Sequence, residues 1–294
     1  MTSNETLTIK PILKRIALGV QYDGSYFNGW QSQVDGRTIQ DNIEKALSRF
    51  IALPSSPKNR VITAGRTDTG VHALGQVVHV DVPVSRLPFA WVRGVNSYLP
   101  SSIRIMWAQE VPGDFDARFS AQERAYSYLL YVGPIEPPIL DKKVGYLMLP
   151  PGKELNIDFM KQAAAMLIGE HDFSSFRSSE CQSKTPIKTL YQFEIVADLP
   201  KIYFFIRGNA FLHHMIRNII ACLLFIGQGK NPPEWILELL EKKNRAFAAP
   251  TFSPDGLYLT RVGYPNHFNI PEPNLACGLF PHHDLVSIFN KNYI

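Results

Sequence analysis

The sequence predicts an α+β protein of two layers, built from two mixed halves that share one sheet. Three observations carry this expectation. Roughly the first hundred residues read strand, helix, strand, strand, helix, strand. The second half follows that order loosely, without a direct sequence repeat. The 294 residues, 45% of them hydrophobic, can bury a sizeable core.

The elements follow in chain order. Ile16–Tyr22 alternates as a strand behind a polar leader. Thr38 suits a helix N-cap, and Ile39, Ile43, Ala46, Leu47 and Phe50 recur at helical spacing. Val61–Ala64 and Gln76–Val82 are strand-like. A second helix starts near Pro88 and runs to about Tyr98, with Leu87, Trp91, Val95 and Leu99 on one side. Ile103–Val111 closes the first half, taken as 10–113. In the second half, 114–264, Ala125–Val132 is a strand and residues 133–138 are Pro-rich. Asp158–Ile168 is a helix with Phe159, Ala163, Met166 and Leu167 inward and Gly169 as its stop. Strands Leu190–Ala197 and Ile202–Arg207, helices Phe211–Gly227 and Pro233–Lys243, and strand Leu257–Val262 complete it. Residues 265–294, rich in Pro, Asn and His, suit a tail draped over the body.

A net charge of +4 is compatible with a polyanionic partner. The polar N-terminus lacks the apolar core of a signal peptide, and the apolar run Ile219–Gly227 is too short to span a bilayer. The odd, scattered set Cys181, Cys222 and Cys277 fits a reducing cytoplasm. His213–His214 and His282–His283 are adjacent pairs, which on a regular element point in different directions. No metal site is expected from them, and no Walker loop or dinucleotide fingerprint calls for a nucleotide cofactor.

The segment Gly65–His72 (GRTDTGVH) concentrates the chemistry. Asp68 sits between two threonines in a loop joining strand-like runs, where a rigid scaffold can present it. Gly65 and Gly70 allow the dihedrals of a tight loop, and Arg66 could keep Asp68 ionised or hold a phosphate. An Asp turn explains the same residues when they are taken alone.

Three further clusters bear on that choice. Tyr22–Gln33 (YDGSYFNGWQSQ) offers glycine hinges, amides and aromatic faces that can contact nucleotides, or an Asp-Gly hairpin. Ala117–Ser120 leads to Arg124, Tyr126 and Tyr128, the tyrosines sharing a strand face over a site or in the core. In Asn209–Asn218, His213, His214 and Arg217 form a polar helical stripe that also suits plain solvent exposure.

In this order the clusters closely resemble the TruA family of tRNA pseudouridine synthases, from about Arg15 to Tyr264. GRTDTGVH with Gly75-Gln76-Val77 is the most specific part; the Gly-Trp-Gln-x-Gln loop, Phe-x-x-x-Met-Ile-Arg and Gly256–Leu259 support it. The resemblance implies the pseudouridine synthase fold: two ferredoxin- or RRM-like halves sharing a mixed, largely antiparallel sheet, with the active-site cleft between them. It makes Asp68 the nucleophile, Tyr126 the base-stacking aromatic and a candidate general base, and Arg217 the ion-pair partner of Asp68. Arg66, Leu257, Gln31, Trp30 and His72 would contact substrate. It further implies a cytoplasmic homodimer without cofactor, acting on uridines of the tRNA anticodon stem-loop (tRNA positions 38–40). Lys58, Arg60, Arg66, Arg177, Lys184 and Lys188 are candidates for a basic groove. Thr69, Ala125 and Ser32 depart from the residues common in the family, the first beside the nucleophile and the others at RNA-contact positions. The rival readings are a noncatalytic RNA-binding protein of the same fold and a metal-dependent nuclease or glycosidase.

Overall fold

The computed structural model describes residues 13–52, 60–275 and 278–280. The near-continuous buried run of Lys14–Tyr22 (β1) matches its place at the centre of the first half. The helix Ile39–Ile51 (α1) follows, its Thr38 cap accepting the amide of Asp41 as expected. Next come Ile62–Thr63 (β2), His72–Val82 (β3), Pro88–Asn96 (α2) and Ile103–Val111 (β4). The second half comprises Glu123–Gly133 (β5), Gly145–Met148 (β6), Ile157–Ala165 (α3), Gly169–Asp172 (β7), Ile187–Asp198 (β8) and Lys201–Gly208 (β9). Met215–Gly227 (α4), Trp235–Lys242 (α5) and Leu257–Gly263 (β10) complete it.

Ten strands form one sheet in the order β4-β1-β3-β10-β5-β9-β8-β7, with β2 on β3 and β6 on β5. The pairing is antiparallel except for β3–β10 and β5–β6. This is the mixed, largely antiparallel α+β sheet expected. Its order contains the same ferredoxin-like unit twice, β4-β1-β3-β2 and β10-β5-β9-β8. In the first unit β2 is only two residues long and covers Val78 and His79. The other end of the same β3 edge is therefore open, and β10 of the second unit takes it through His72↔Tyr258 and Ala73↔Leu259. That seam joins the two halves, and the loop bearing Asp68 enters β3 beside it.

The apolar faces of α1 to α5 pack with one sheet face in a single core. A smaller cluster of Leu129, Tyr203, Phe205 and Tyr258 occupies the other face beneath Phe280. The described part of the tail does drape over the body: Phe268 is buried against Phe115, and the carbonyl of Asn274 accepts from Gln21. Cys277 and the His282–His283 pair lie outside the described residues.

Four sequence expectations need correction. Leu87 is exposed because it caps α2 in extended conformation, outside the helical face. In α3 Phe159 is exposed and Met160 and Ala164 are buried instead, whereas Ala163 and, just past the helix, Leu167 are buried as expected. β6 and β7 lack strong alternation; β7 is the polar run Gly-Glu-His-Asp at the sheet edge. The fourth concerns α4, which starts at Met215 rather than Phe211. His214 has φ 63°, so residues 209–214 form a loop.

Candidate active site

The Asp68 loop is held by its backbone and by buried polar groups. The Trp30 amide donates to the Thr67 carbonyl at 3.0 Å, and the Val71 amide to the Asp68 carbonyl at 3.1 Å. Tyr22 and Thr67 hydroxyls pair at 2.8 Å, and the Gln76 amide donates to the Gly65 carbonyl at 2.8 Å. Gly70 has φ 82°, as a tight loop requires, whereas Gly65 takes no positive φ. A Cβ at Gly65 would meet the Tyr126 hydroxyl at 4.0 Å, an ordinary contact that places Tyr126 beside the start of the loop. Gly29, at φ 79°, lets the neighbouring loop approach until a Cβ would lie 2.9 Å from the Thr67 carbonyl oxygen.

Asp68 itself is 21% exposed and meets three basic groups. Arg217 Nη1 donates to Oδ2 at 3.0 Å, while its Nε donates to the Phe252 carbonyl at 2.9 Å. His213 Nε2 lies 3.2 Å from Oδ1 and His214 Nε2 3.4 Å from Oδ2. Burial pushes the carboxyl pKa up, but the His213 hydrogen bond and the charges of His214, His213 and Arg217 outweigh it and hold it below the ordinary value. The same hydrogen bond raises the pKa of His213, while burial lowers that of His214.

Both imidazoles therefore converge, against the expectation that adjacent histidines diverge. The left-handed His214 breaks the regular element on which that expectation rests. With Asp68 they form the one group among the described residues with metal-ligand spacing, their atoms lying within 4.8 Å of one another. Arg217 already places a positive charge on that carboxylate, which disfavours a cation beside it.

Tyr126 stands next to this group on β5, packed edge-on against Phe211 at 5.1 Å. It is 8% exposed, and burial pushes its hydroxyl pKa up to about 12. Tyr128 shares its strand face, but it is fully buried and donates to the Ser253 carbonyl, a core role. Arg124, which sequence reasoning left without a task, donates to the carbonyls of Ala64 and Asn209. It thereby ties β5 to the start of the Asp68 loop and to the loop carrying the histidines.

The remaining expected contacts divide. Arg66 is exposed and donates to the Gln182 amide oxygen rather than to Asp68. Leu257 is buried where β10 begins, opposite Tyr128. Gln31 is half-buried and donates to Gln40 of α1. Trp30 is 1% exposed against Tyr22, so it supports the loop and offers no face to substrate. His72 is also buried; it contacts Asp23 and the Asp255 carbonyl and stacks on Tyr258, which likewise removes it from the substrate surface. Lys188 is 7% exposed and spends its ammonium on the Thr185 and Ile187 carbonyls, so it does not belong to a basic groove. Arg60 and Lys184 are exposed, Arg177 is half-buried, and Lys58 lies outside the described residues. Thr69 is exposed, and Ser32 donates to Asp41.

A family model described as tRNA pseudouridine synthase matches residues 19–120 and 163–265, well over half the chain. A tRNA pseudouridine synthase A of Polynucleobacter asymbioticus is 59% identical over 268 residues, covering 91% of this chain and 98% of that one. Its namesake in Ralstonia nicotianae is 53% identical over 270 residues, with 91% and 96% covered. That of Paraburkholderia xenovorans is 55% identical over 261 residues, with 89% and 94% covered. Among solved structures, a Cbf5–Nop10–Gar1 complex matches at 12% identity and TM-score 0.35, covering 83% of this chain and 49% of that one. With a family model spanning both halves and full-length relatives identical at more than half their positions, this chain belongs to the tRNA pseudouridine synthase family.

Proposed function

We propose that this enzyme isomerises uridine to pseudouridine in the anticodon stem-loop of tRNA, with Asp68 as its nucleophile. The observation that carries this reading is the ionised carboxylate of Asp68, presented at the seam of two sheet units beside Tyr126. The relatives are named for tRNA pseudouridine synthesis, and the isomerisation needs a single attacking carboxylate. Hydrolytic glycosidases instead place two carboxylates across the bond. Around Asp68 the close partners are basic, and Asp81 is engaged with Arg15 through two contacts of 2.7 Å.

The reaction breaks the ribose C1′–N1 bond and forms C1′–C5. The C5 proton leaves and N1 gains one, so redox state and composition are unchanged. Asp68 attacks either C1′ or the uracil ring, while Arg217 holds the carboxylate oriented through its second bond to the Phe252 carbonyl. The target base leaves its stack, at a cost of a few kcal/mol, and packs on Tyr126, which returns roughly 1–3 kcal/mol. Val71, Tyr126 and Leu257, all buried, form the dry wall that prevents loss of the cleaved base. Arg66 anchors the RNA backbone from the exposed side of the loop. The enzyme works in the cytoplasm as a homodimer whose subunits jointly line the RNA cleft.

The test is tritium release from tRNA labelled at uracil C5. Wild type releases label with the tRNA chain intact and in the presence of EDTA, and Asp68→Ala abolishes release while still binding RNA. Full release by Asp68→Ala would refute the nucleophile. Chain cleavage or free uracil would support the nuclease or glycosidase reading, and binding without release by wild type a noncatalytic protein.

A further inference from the structure

Behind His214 lies a cavity of about 460 Å³ with a polar lining, which the isomerisation chemistry does not use. Ser174, Arg177, Ser178, Ser179, His214, Arg245 and Thr251 line it. The geometry points to a phosphate subsite here that holds a backbone phosphodiester flanking the target uridine. The inference rests on the tRNA-modifying reading above.

Its first support is charge. Neither Arg177 nor Arg245 has a carboxylate within ion-pair distance among the described residues. Arg177 Nη2 donates to the carbonyls of Cys181 and Ser183. Arg245 donates to the Ala248 carbonyl, the Asn218 amide oxygen and the Thr251 hydroxyl. These neutral acceptors orient the two guanidinium groups without neutralising them, and each is left with N–H groups to offer. A guanidinium held in that way suits the tetrahedral oxygens of a phosphate.

The second support is position. His214 is shared: it lines the cavity, and its Nε2 lies 3.4 Å from Asp68 Oδ2. An anion in the cavity is thus one side chain away from the nucleophile. A nucleotide with its base at Asp68 carries a phosphate on either side of its ribose, so an adjoining subsite is where such a phosphate belongs. Apart from the His214 imidazole, which lies against Asp68, the lining consists of hydroxyls and guanidinium groups, which suits a phosphate. Glu180 is the nearby opposing charge; it is exposed and follows Ser179 outside the lining.

The test measures RNA affinity against salt for wild type, Arg245→Gln and Ser179→Asp, with a tRNA anticodon stem-loop. Ser179 is an exposed lining residue, so its variant adds a negative charge without removing a buried contact and decides the matter if Arg245→Gln does not fold. Both variants should bind about ten- to a hundredfold more weakly. For Arg245→Gln the log–log salt slope should become shallower by roughly 0.7–0.9, as expected for one lost phosphate contact. A neutral methylphosphonate at one linkage flanking the target uridine should weaken wild type and leave Arg245→Gln no weaker than it already is. Unchanged affinity and slope in the folded variants, or equal binding of every methylphosphonate RNA by wild type, would overturn the subsite. Competition by inorganic phosphate without any linkage effect would assign the cavity to free phosphate and overturn the backbone assignment. Pseudouridine formation on the unmodified RNA is scored in parallel. Its absence in wild type alongside a linkage effect would sink the function while leaving the subsite standing.

Discussion

Tyr126 can meet the target base as a phenol or as a phenolate, and the two differ by a quantity the structure supplies. Its hydroxyl pKa is pushed up to about 12 by burial, which outweighs the lowering by the Arg124 charge, with a smaller rise from the Asp68 charge. At pH 7 about one molecule in 10⁵ would be ionised, a cost of about 7 kcal/mol. General-base help is worth some 10²–10⁴-fold, or about 3–5 kcal/mol, so a pre-formed phenolate would lose more than it contributes. On the proposed function Tyr126 would act as a neutral phenol, and if it takes the C5 proton it passes its own proton on in the same step. The perturbation is Tyr126→Phe, and the assay is tritium release under single turnover as pH varies. Wild-type turnover should show no unit-slope rise between about pH 7 and about pH 10. Tyr126→Phe should bind tRNA as the parent does and turn over about 10²–10⁴-fold more slowly if the hydroxyl relays the proton. A unit-slope rise in wild type that vanishes in Tyr126→Phe would refute the reasoning and restore the phenolate.

Three other predictions follow from the site. Gly29→Ala forces φ 79° on a residue with a Cβ and drives that Cβ to 2.9 Å from the Thr67 carbonyl. It should cost about 1–3 kcal/mol in denaturant melts, and an unchanged midpoint would remove the close approach of the two loops as a constraint. Arg217→Lys keeps the charge but cannot reach both Asp68 and the Phe252 carbonyl, so turnover should fall about tenfold or more with KM little changed. Turnover equal to wild type would reduce Arg217 to a counter-charge. The third concerns pH. The raised pKa of His213 means its bond to Asp68 stabilises fully below about pH 6.5 and is lost as pH rises through the folded value. The lowered pKa of Asp68 contributes above about pH 3.9 and is lost as pH falls through its folded value. Asp68→Asn should flatten both limbs of the stability profile; parallel wild-type and variant profiles would disprove the coupling.

Much of the scaffold was legible because its signals are local. Thr38 before Ile39, Ile43 and Leu47 announces α1, and the alternation of Ile103–Val111 announces β4 to the residue. β7 was not legible, since a polar edge strand lacks a periodic apolar face. The start of α4 was misread for the converse reason: Phe211 and Leu212 continue the apolar pattern backward, but the left-handed His214 stops the helix. The loop that ends at this residue carries both histidines onto Asp68. A signal lay in the His-His-x-x-Arg cluster, but the spacing suggested a solvent-facing stripe.

The sequence by itself determined the α+β class, the loop that carries Asp68 and, through its ordered motifs, the family. It could also nominate Arg217 and Tyr126 by resemblance. Only the tertiary structure decided which charge reaches which group. Arg66, two residues from Asp68, turns to Gln182, whereas Arg217, 149 residues away, contacts the carboxylate. It likewise withdrew Trp30, His72 and Lys188 from the substrate surface by burying them. The physical reason is range. Helix and strand patterns depend on neighbours a few positions away. Desolvation and ion pairing instead depend on what a truncated β2 and an inserted β10 bring to the same edge of β3.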